Sequence, residues 1–374
     1  MASKKELSFD NLLLDVVAKN LCNKCGGCVS FCSANSIDAL QVGKDGFPEY
    51  RVKDKCLECG ICYLICPKTK DLEEELKNNT GWKYPMGNFV DVFSARSTDS
   101  DVLDVATDGG IVTSILIYML ENNIIDGAIV TQKEGSYKRK PVIAKTRVEL
   151  IAAAGSGFSE TENLDKLGNI YTSCFPIIKT IKESSSESMK KLAIVGTPCQ
   201  IETIRKMQLL NIVPSDLIIF TIGLFCMQCF TIADLAHKDF AKIHKINMGD
   251  IEKINIKENL ILKMKSNVSV HIPLEEIEEI ASRACMACND FSNEFADISV
   301  GGVGSKDGYT TVMVRTSLGK QVYAEALYQN YVENHHGLCH NSKKVNEKQL
   351  VQIIEDFSVR KKMRSQEVSD SNQN

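Results

Sequence analysis

The stretch "LAIVGTPCQ", residues 192–200, is a β-branched run that breaks at Gly-Thr-Pro and passes directly into a helical pattern over 199–210. A short apolar run closed by Gly or Thr reads as a buried strand. The unit is therefore strand, turn, helix, with Cys199 at the helix N-terminus. Two more runs of this kind, "GAIVT" (127–131) and "LIIFTIG" (217–223), alternate with helical stretches at 110–122 and about 173–183. That alternation specifies an α/β sheet. Further on, "DIEKINIKENLILKMKSNVSVHIPL" (250–274) reads as alternating strands joined by short polar turns, and "TTVMVRT" (310–316) adds another strand. The sheet region is thus mixed rather than purely parallel, and the fold class spans α/β and α+β.

The 374 residues suffice for two or three domains, and 44% hydrophobic with 25% charged residues is ordinary for a globular protein. A net charge of −4 gives no basis for a nucleic-acid surface or a polybasic membrane site. The longest apolar stretch, "IVTSILIYML" (111–120), is too short to span a bilayer and reads as a buried helix. The N-terminal "MASKKELSFDN" lacks the hydrophobic core of a signal peptide, so the expected location is the cytoplasm, with any peripheral membrane link made through a partner subunit. Fifteen cysteines in such a chain point to metal binding or redox chemistry rather than to a disulfide scaffold.

Their spacing carries the strongest signal. "CNKCGGCVSFC" sets Cys22, Cys25, Cys28 and Cys32 at C-x2-C-x2-C-x3-C, and "CLECGICYLICP" sets Cys56, Cys59, Cys62 and Cys66 at the same spacing before Pro67. In a two-cluster ferredoxin the fourth cysteine of each run serves the other cluster. The predicted ligand sets are Cys22, Cys25, Cys28 with Cys66, and Cys56, Cys59, Cys62 with Cys32. Zinc sites use pairs rather than two quartets. Ser33 stands where the second run has its Pro, which loosens one turn without removing a ligand. The expected organisation is a small bacterial-ferredoxin-like domain over 1–75, a linker over 76–88, a mixed α/β domain over 89–345, and a C-terminal helix with a disordered polar tail over 346–374.

Seven cysteines remain. Cys199 stands at a helix start, Cys226 and Cys229 follow a strand in "GLFCMQC", and Cys285 and Cys288 form a C-x2-C loop in "RACMACNDF". Taken singly, these read as a low-pKa nucleophile, a thioredoxin-like pair and half a zinc site. Taken together, at the rim of one sheet, they read as a further cluster. Cys174 and Cys339 are ordinary thiols, and "HHGLCH" (335–340) reads as a surface loop.

The segments "ATDGGIVTSILIYMLENNIIDGAIV", "KPVIAKTRVELIAAAGS", "AIVGTPCQIETIR", "IGLFCMQCF" and "RACMACNDFSNEFADISVGGVGSKDGYTTVMVRT" resemble the beta subunit of coenzyme F420-reducing hydrogenase and its relatives in methanogenic archaea. Those relatives include the input subunit of F420H2 dehydrogenase, whose ferredoxin-like front end this chain's resembles, and the beta subunit of F420-linked formate dehydrogenase. The resemblance implies FAD and one [4Fe-4S] cluster in the larger domain, three clusters in all. It selects Cys199, Cys226, Cys285 and Cys288 as ligands and leaves Cys229 spare.

For the flavin it points to "TDGG" (Thr107, Asp108, Gly109, Gly110) and Thr113, a stretch that reads equally as a plain helix cap. It also points to Gly155 and Ser156, to Thr197 and Pro198, and to Gly223 and Leu224. Relatives commonly have Lys after that Gly-Ser; position 157 here is Gly. The implied activity is hydride exchange between coenzyme F420 and FAD, with single electrons passed through the clusters in either direction and no catalytic acid or base. Lys133, Lys138 and Arg139 are candidates for the acidic tail of F420, against the plainer reading of an exposed basic loop. The implied partner is a membrane dehydrogenase, hydrogenase, formate dehydrogenase or heterodisulfide reductase complex, or ferredoxin. The alternatives are a ferredoxin-linked flavin and iron–sulfur reductase of another organic substrate, and a relay protein without flavin.

Overall fold

The computed structural model describes residues 7–133, 139–155, 189–213, 215–229, 238–278, 280–335 and 340–371. In the N-terminal segment β1 (Leu40–Val42) and β2 (Pro48–Tyr50) form an antiparallel hairpin between the helices Gly27–Ala34 and Ile61–Leu64. The body carries β3 (Asp91–Ser97), β4 (Gly127–Lys133), β5 (Arg139–Ala144), β6 (Leu192–Gly196) and β7 (Ile218–Leu224). A separate antiparallel sheet follows, of β8 (Ile251–Ile256), β9 (Asn259–Met264) and β10 (Ser269–Pro273). The chain then returns with β11 (Ile298–Gly301), β12 (Thr310–Val314) and β13 (Val332–Asn334).

The main sheet is 8-stranded in the order β13-β3-β12-β11-β7-β6-β4-β5. Its centre, β11-β7-β6-β4, is parallel, and every flanking pair is antiparallel. This is the mixed sheet the sequence implies. Side chains alternate across it, as a period of two demands. Ala128, Val130, Phe220 and Ile222 pack under the helices Ile111–Glu121, Arg147–Ala153 and Ser317–Tyr328. Ile129, Leu192 and Ile194 face the opposite side, against Ile201, Ile204 and Met207 of the helix Pro198–Leu209. Each of these Val, Leu, Ile, Met or Phe burials contributes roughly 1.5–3 kcal/mol. The helix Pro198–Leu209 starts where it does because Thr197 and Gln200 cap it reciprocally and Pro198 occupies the first turn.

The stretch 76–88, expected as a linker, is packed. Leu76 and Trp82 join the core beneath the helix Pro198–Leu209, and Met86 is buried against Phe291 and Ile354. Buried Arg315 fixes the segment by donating to the Met86 and Asn88 carbonyls, both at 2.9 Å. Three apolar side chains in a charged run are enough to dock it. The polar end "SQEVSDSNQN", expected to be disordered, instead continues the helix His340–Ser371 up to Ser371. Leu350 and Ile354 bury one face of that helix, and the basic side chains of Lys361, Lys362 and Arg364 anchor its later turns. Among the described residues no helix is long and apolar enough to cross a membrane. The expected helix at 173–183, most of the loop at 183–191, and Ser156, Lys138, Cys174 and Cys339 lie outside the described residues.

Candidate functional site

The parallel strands end on one edge of the sheet, and a cavity of about 260 Å³ opens there. Thr107, Asp108, Gly110 and Thr113 line it from the start of the helix Ile111–Glu121, with Gly155 beside them. Thr197 and Leu224 line it from the ends of β6 and β7, and Cys226 closes one wall. Phe225, Phe291 and Phe357 supply apolar surface. Gly110 takes a left-handed φ of 73° at the N-cap, which favours glycine, and the helix's first amides follow it. Apolar walls with a few convergent polar groups and a helix N-terminus suit a flat ring system bearing phosphate.

Three residues expected at the flavin do not line the cavity. A Cβ at Gly109 would meet the Ala95 carbonyl oxygen at 2.6 Å, and one at Gly223 would meet Asn293 Cγ at 2.2 Å. Gly109 therefore lets the loop before the helix close on β3 and β12, and Gly223 makes room on β7 for the Asn293 side chain. Pro198 is spent on the helix start.

Lys257 is a cavity residue that the sequence reading missed. It sits in the turn between β8 and β9, is only 5% exposed, and pairs with Asp307 at 2.9 Å and Asp108 at 3.5 Å. Asn255 donates to the same Asp108 at 2.9 Å. Burial pulls the Lys257 ammonium down, but the bond to Asp307 and the charge of Asp108 together hold it above its ordinary value. A Cβ at Gly302 would meet Asp108 Oδ2 at 2.7 Å, so the absence of a side chain there makes room for the pair. Its only sequence signal was a lysine in a short turn. Lys133 and Arg139 face each other in register where β4 and β5 meet, and nearby Val130 and Thr131 line the cavity.

The cysteines fall into three groups. Cys22, Cys25, Cys28 and Cys66 together line a cavity of about 30 Å³ under Leu12, Val16 and Ile65. Burial first, and then neighbouring sulfur, pushes the Cys22, Cys25 and Cys66 thiols up to about 11. In the second group Cys62 interacts with Cys59, Cys56 and Cys32, and burial pushes it up to about 12. Cys32 Sγ also accepts from the Ala39 amide at 3.3 Å.

In the third group Cys199 interacts with Cys288 and Cys226, and Cys226 interacts with Cys285. Cys229 lies within the same group, hydrogen-bonded to both Cys226 and Cys285, so it is a fifth thiol and not a remote one. The Cys229 hydrogen bond is the main reason the Cys285 thiol is lowered to about 6.

Among the described residues no three cysteine, histidine or acidic side chains close on one point as a single metal ion requires. A four-iron cube separates its ligand sulfurs more widely than one ion does, and the apolar pocket lined by Cys22, Cys25, Cys28 and Cys66, like the thiol groupings elsewhere, fits its donor chemistry.

The groups are linked. Cys25 Sγ lies 3.7 Å from Thr203 Oγ1 and interacts with Cys199, while Cys28 interacts with Cys62. Cys199, Thr203 and Lys206 recur at helical spacing on the helix Pro198–Leu209. Lys206, fully buried, donates to the Cys66 carbonyl at 2.8 Å and to the Thr69 carbonyl at 3.1 Å. Lys68 reaches the other way, to the Ala284 carbonyl at 2.7 Å. A second feature the sequence reading missed is the contact that the expected C-terminal helix makes with the third group. Lys361 donates to the Cys226 and Asp290 carbonyls, and Arg364 to those of Met227 and Cys285.

Residues 92–167 match the N-terminal part of the coenzyme F420 hydrogenase/dehydrogenase beta subunit, and residues 189–336 match its C-terminal part. The chain is 33% identical over 256 residues to the beta subunit of the coenzyme F420 hydrogenase of Methanosarcina barkeri, covering 66% of this chain and 82% of the relative. It is 26% identical over 321 residues to one of the subunits of the F(420)H(2) dehydrogenase of Methanosarcina mazei, covering 83% and 84%. Among solved structures, a chain of the F420-reducing [NiFe] hydrogenase complex from Methanosarcina barkeri superposes with a TM-score of 0.65 at 28% identity, covering 78% of this chain and 94% of that one. With sheet, cavity and cysteine groups in the same frame, this chain belongs to the family of coenzyme F420 hydrogenase/dehydrogenase beta subunits.

Proposed function

We propose that this chain is a subunit of a coenzyme F420-dependent oxidoreductase, with FAD in the 260 Å³ cavity and a [4Fe-4S] cluster in each of the three thiol groups. The observation that carries the reading is continuity. Cys226 belongs both to the cavity wall and to the third thiol group, and Cys199 of that group interacts with Cys25 of the first. When bound, FAD would supply hydride exchange with coenzyme F420 and single-electron exchange with the neighbouring cluster, chemistry that belongs to the cofactors.

The chain's residues bind, orient and insulate. The first amides of the helix Ile111–Glu121 would receive phosphate, and Thr107, Asp108, Thr113 and Thr197 would fix the ring system. Phe225, Phe291 and Phe357 keep water from the thiol side. Lys257, paired with Asp108 and Asp307, neutralises the part-buried Asp108 carboxylate and ties the β8–β9 turn to the cavity wall. Lys133 and Arg139 at the β4–β5 rim remain candidates for the acidic tail of F420. Clusters held by the Cys199 group, by Cys22, Cys25, Cys28 and Cys66, and by Cys32, Cys56, Cys59 and Cys62 would stand in that order for one-electron transfer. Cys59 is exposed and marks the outer end. The relatives named above support a redox partner within a larger hydrogenase or dehydrogenase complex, of which the membrane, formate and heterodisulfide types and free ferredoxin are the candidates.

Anaerobic titration of purified protein with reduced coenzyme F420 tests the reading. Bleaching of flavin bands together with iron–sulfur absorbance is expected. Flavin that F420 leaves oxidised would favour a ferredoxin-linked reductase, and absence of flavin would favour a pure relay.

A further inference from the structure

The helix His340–Ser371 lies beyond residue 336, where the family match ends, yet it forms one wall of the third thiol group. Three cations of a single turn, Lys361, Lys362 and Arg364, grip the loops that carry the ligands. Lys362 donates to the Asn289 carbonyl at 3.1 Å and pairs with Glu294 at 2.8 Å. Arg364 donates to the Met227 carbonyl at 3.0 Å and pairs with Glu278 at 3.4 Å. Both of these charges are therefore matched by a carboxylate.

Lys361 differs. It is 1% exposed, its ammonium donates to the carbonyls of Cys226 and Asp290, and among the described residues no carboxylate forms an ion pair with it. Carbonyl dipoles alone are poor compensation for a buried ammonium, which needs a counter-charge to stay ionised. The charged or ionisable groups that act on it are foremost the thiols of Cys288, Cys226 and Cys285, with the Asp290 side chain after them.

A cluster held by four thiolates carries net negative charge and becomes more negative by one on reduction. A fixed cation beside it therefore favours the reduced form, since net charge and hydrogen bonding set cluster potentials.

We propose that Lys361 is the built-in counter-cation of the cluster at Cys199, Cys226, Cys285 and Cys288, and that the C-terminal helix raises that cluster's midpoint potential by supplying it. The balance is one electron in and no proton moved. The inference rests on the iron–sulfur reading given above.

The test uses the full chain purified without oxygen, with redox titrations followed by EPR on wild type, Lys361→Gln and Lys361→Arg. The third cluster's signal is identified as the one lost in Cys199→Ser. In Lys361→Gln that signal should titrate at a lower potential, the other two signals should stay in place, and Lys361→Arg should stay near wild type. Loss of the third signal in Lys361→Gln with its retention in Lys361→Arg would equally support the need for charge. An unmoved third midpoint in Lys361→Gln would overturn the proposal. So would loss of iron in both variants alike, which would assign Lys361 to helix docking alone. A wild-type protein without any third signal is a distinct outcome, because it removes the cluster itself and overturns the underlying reading along with the inference.

Discussion

Glu294 lies beneath the C-terminal helix, where its carboxylate pairs with Lys362 at 2.8 Å and also accepts from the Trp82 indole. Burial, reinforced by Asp290, raises its pKa from 4.5 to about 7 against the pull of Lys362. Between those two values the folded protein holds a proton that the unfolded chain has released. The stabilisation this gives is complete below the unfolded value and is lost as pH rises through the folded one. Glu294→Gln should therefore flatten the fall in melting temperature from about pH 4.5 to about pH 7. Thermal scans across that range check this, and an undiminished slope in the variant would contradict it. At this scale the sequence was legible wherever chemistry is local. The two cysteine quartets announce themselves by spacing alone. Lys361 and Lys257 do not, because "SVRKKMR" and "IKEN" carry no local mark of burial, and only the tertiary fold turns those lysines inward.

At the scale of elements, the contact between the helices Gly27–Ala34 and Pro198–Leu209 joins the first thiol group to the third. A Cβ at Gly27 would meet Thr203 Cγ2 at 2.3 Å. Gly27→Ala should push the two helices apart, at a stability cost of about 1–3 kcal/mol from overpacking, and slow electron transfer between the groups. Adding Thr203→Ala removes the opposing methyl and should restore both. Denaturant midpoints and freeze-quenched reduction of each cluster measure the pair of effects, and a double variant no better than the single one would refute the contact's role. The strands β4, β6 and β7 and the helices following 110 and 198 were readable from short apolar runs and turn residues. The stretch 76–88 and the tail were harder. Their few apolar and basic side chains look like solvated polypeptide until the partner surfaces, Arg315 and the Cys226 loop, are brought alongside.

For the whole molecule, the sheet edge carries the cavity, the helix Pro198–Leu209 bridges outward from it, and the N-terminal thiols extend the line to exposed Cys59. The two family-model matches over 92–167 and 189–336 take in the third group and the cavity lining except Phe357, and the N-terminal groups and the C-terminal helix lie outside those two matches. The sequence places the third group between the flavin and the two N-terminal groups, but which of those two faces it was not legible, because spacing identifies ligands and not which cluster faces which. The most direct measurement of this account is iron and acid-labile sulfide per polypeptide in the intact chain, purified and assayed without oxygen, beside its Cys199→Ser variant. About twelve iron atoms in the wild type and about eight in the variant are expected for three four-iron cubes. About eight in both would remove the third cluster, and with it the conduction path from the cavity to the N-terminal cysteines.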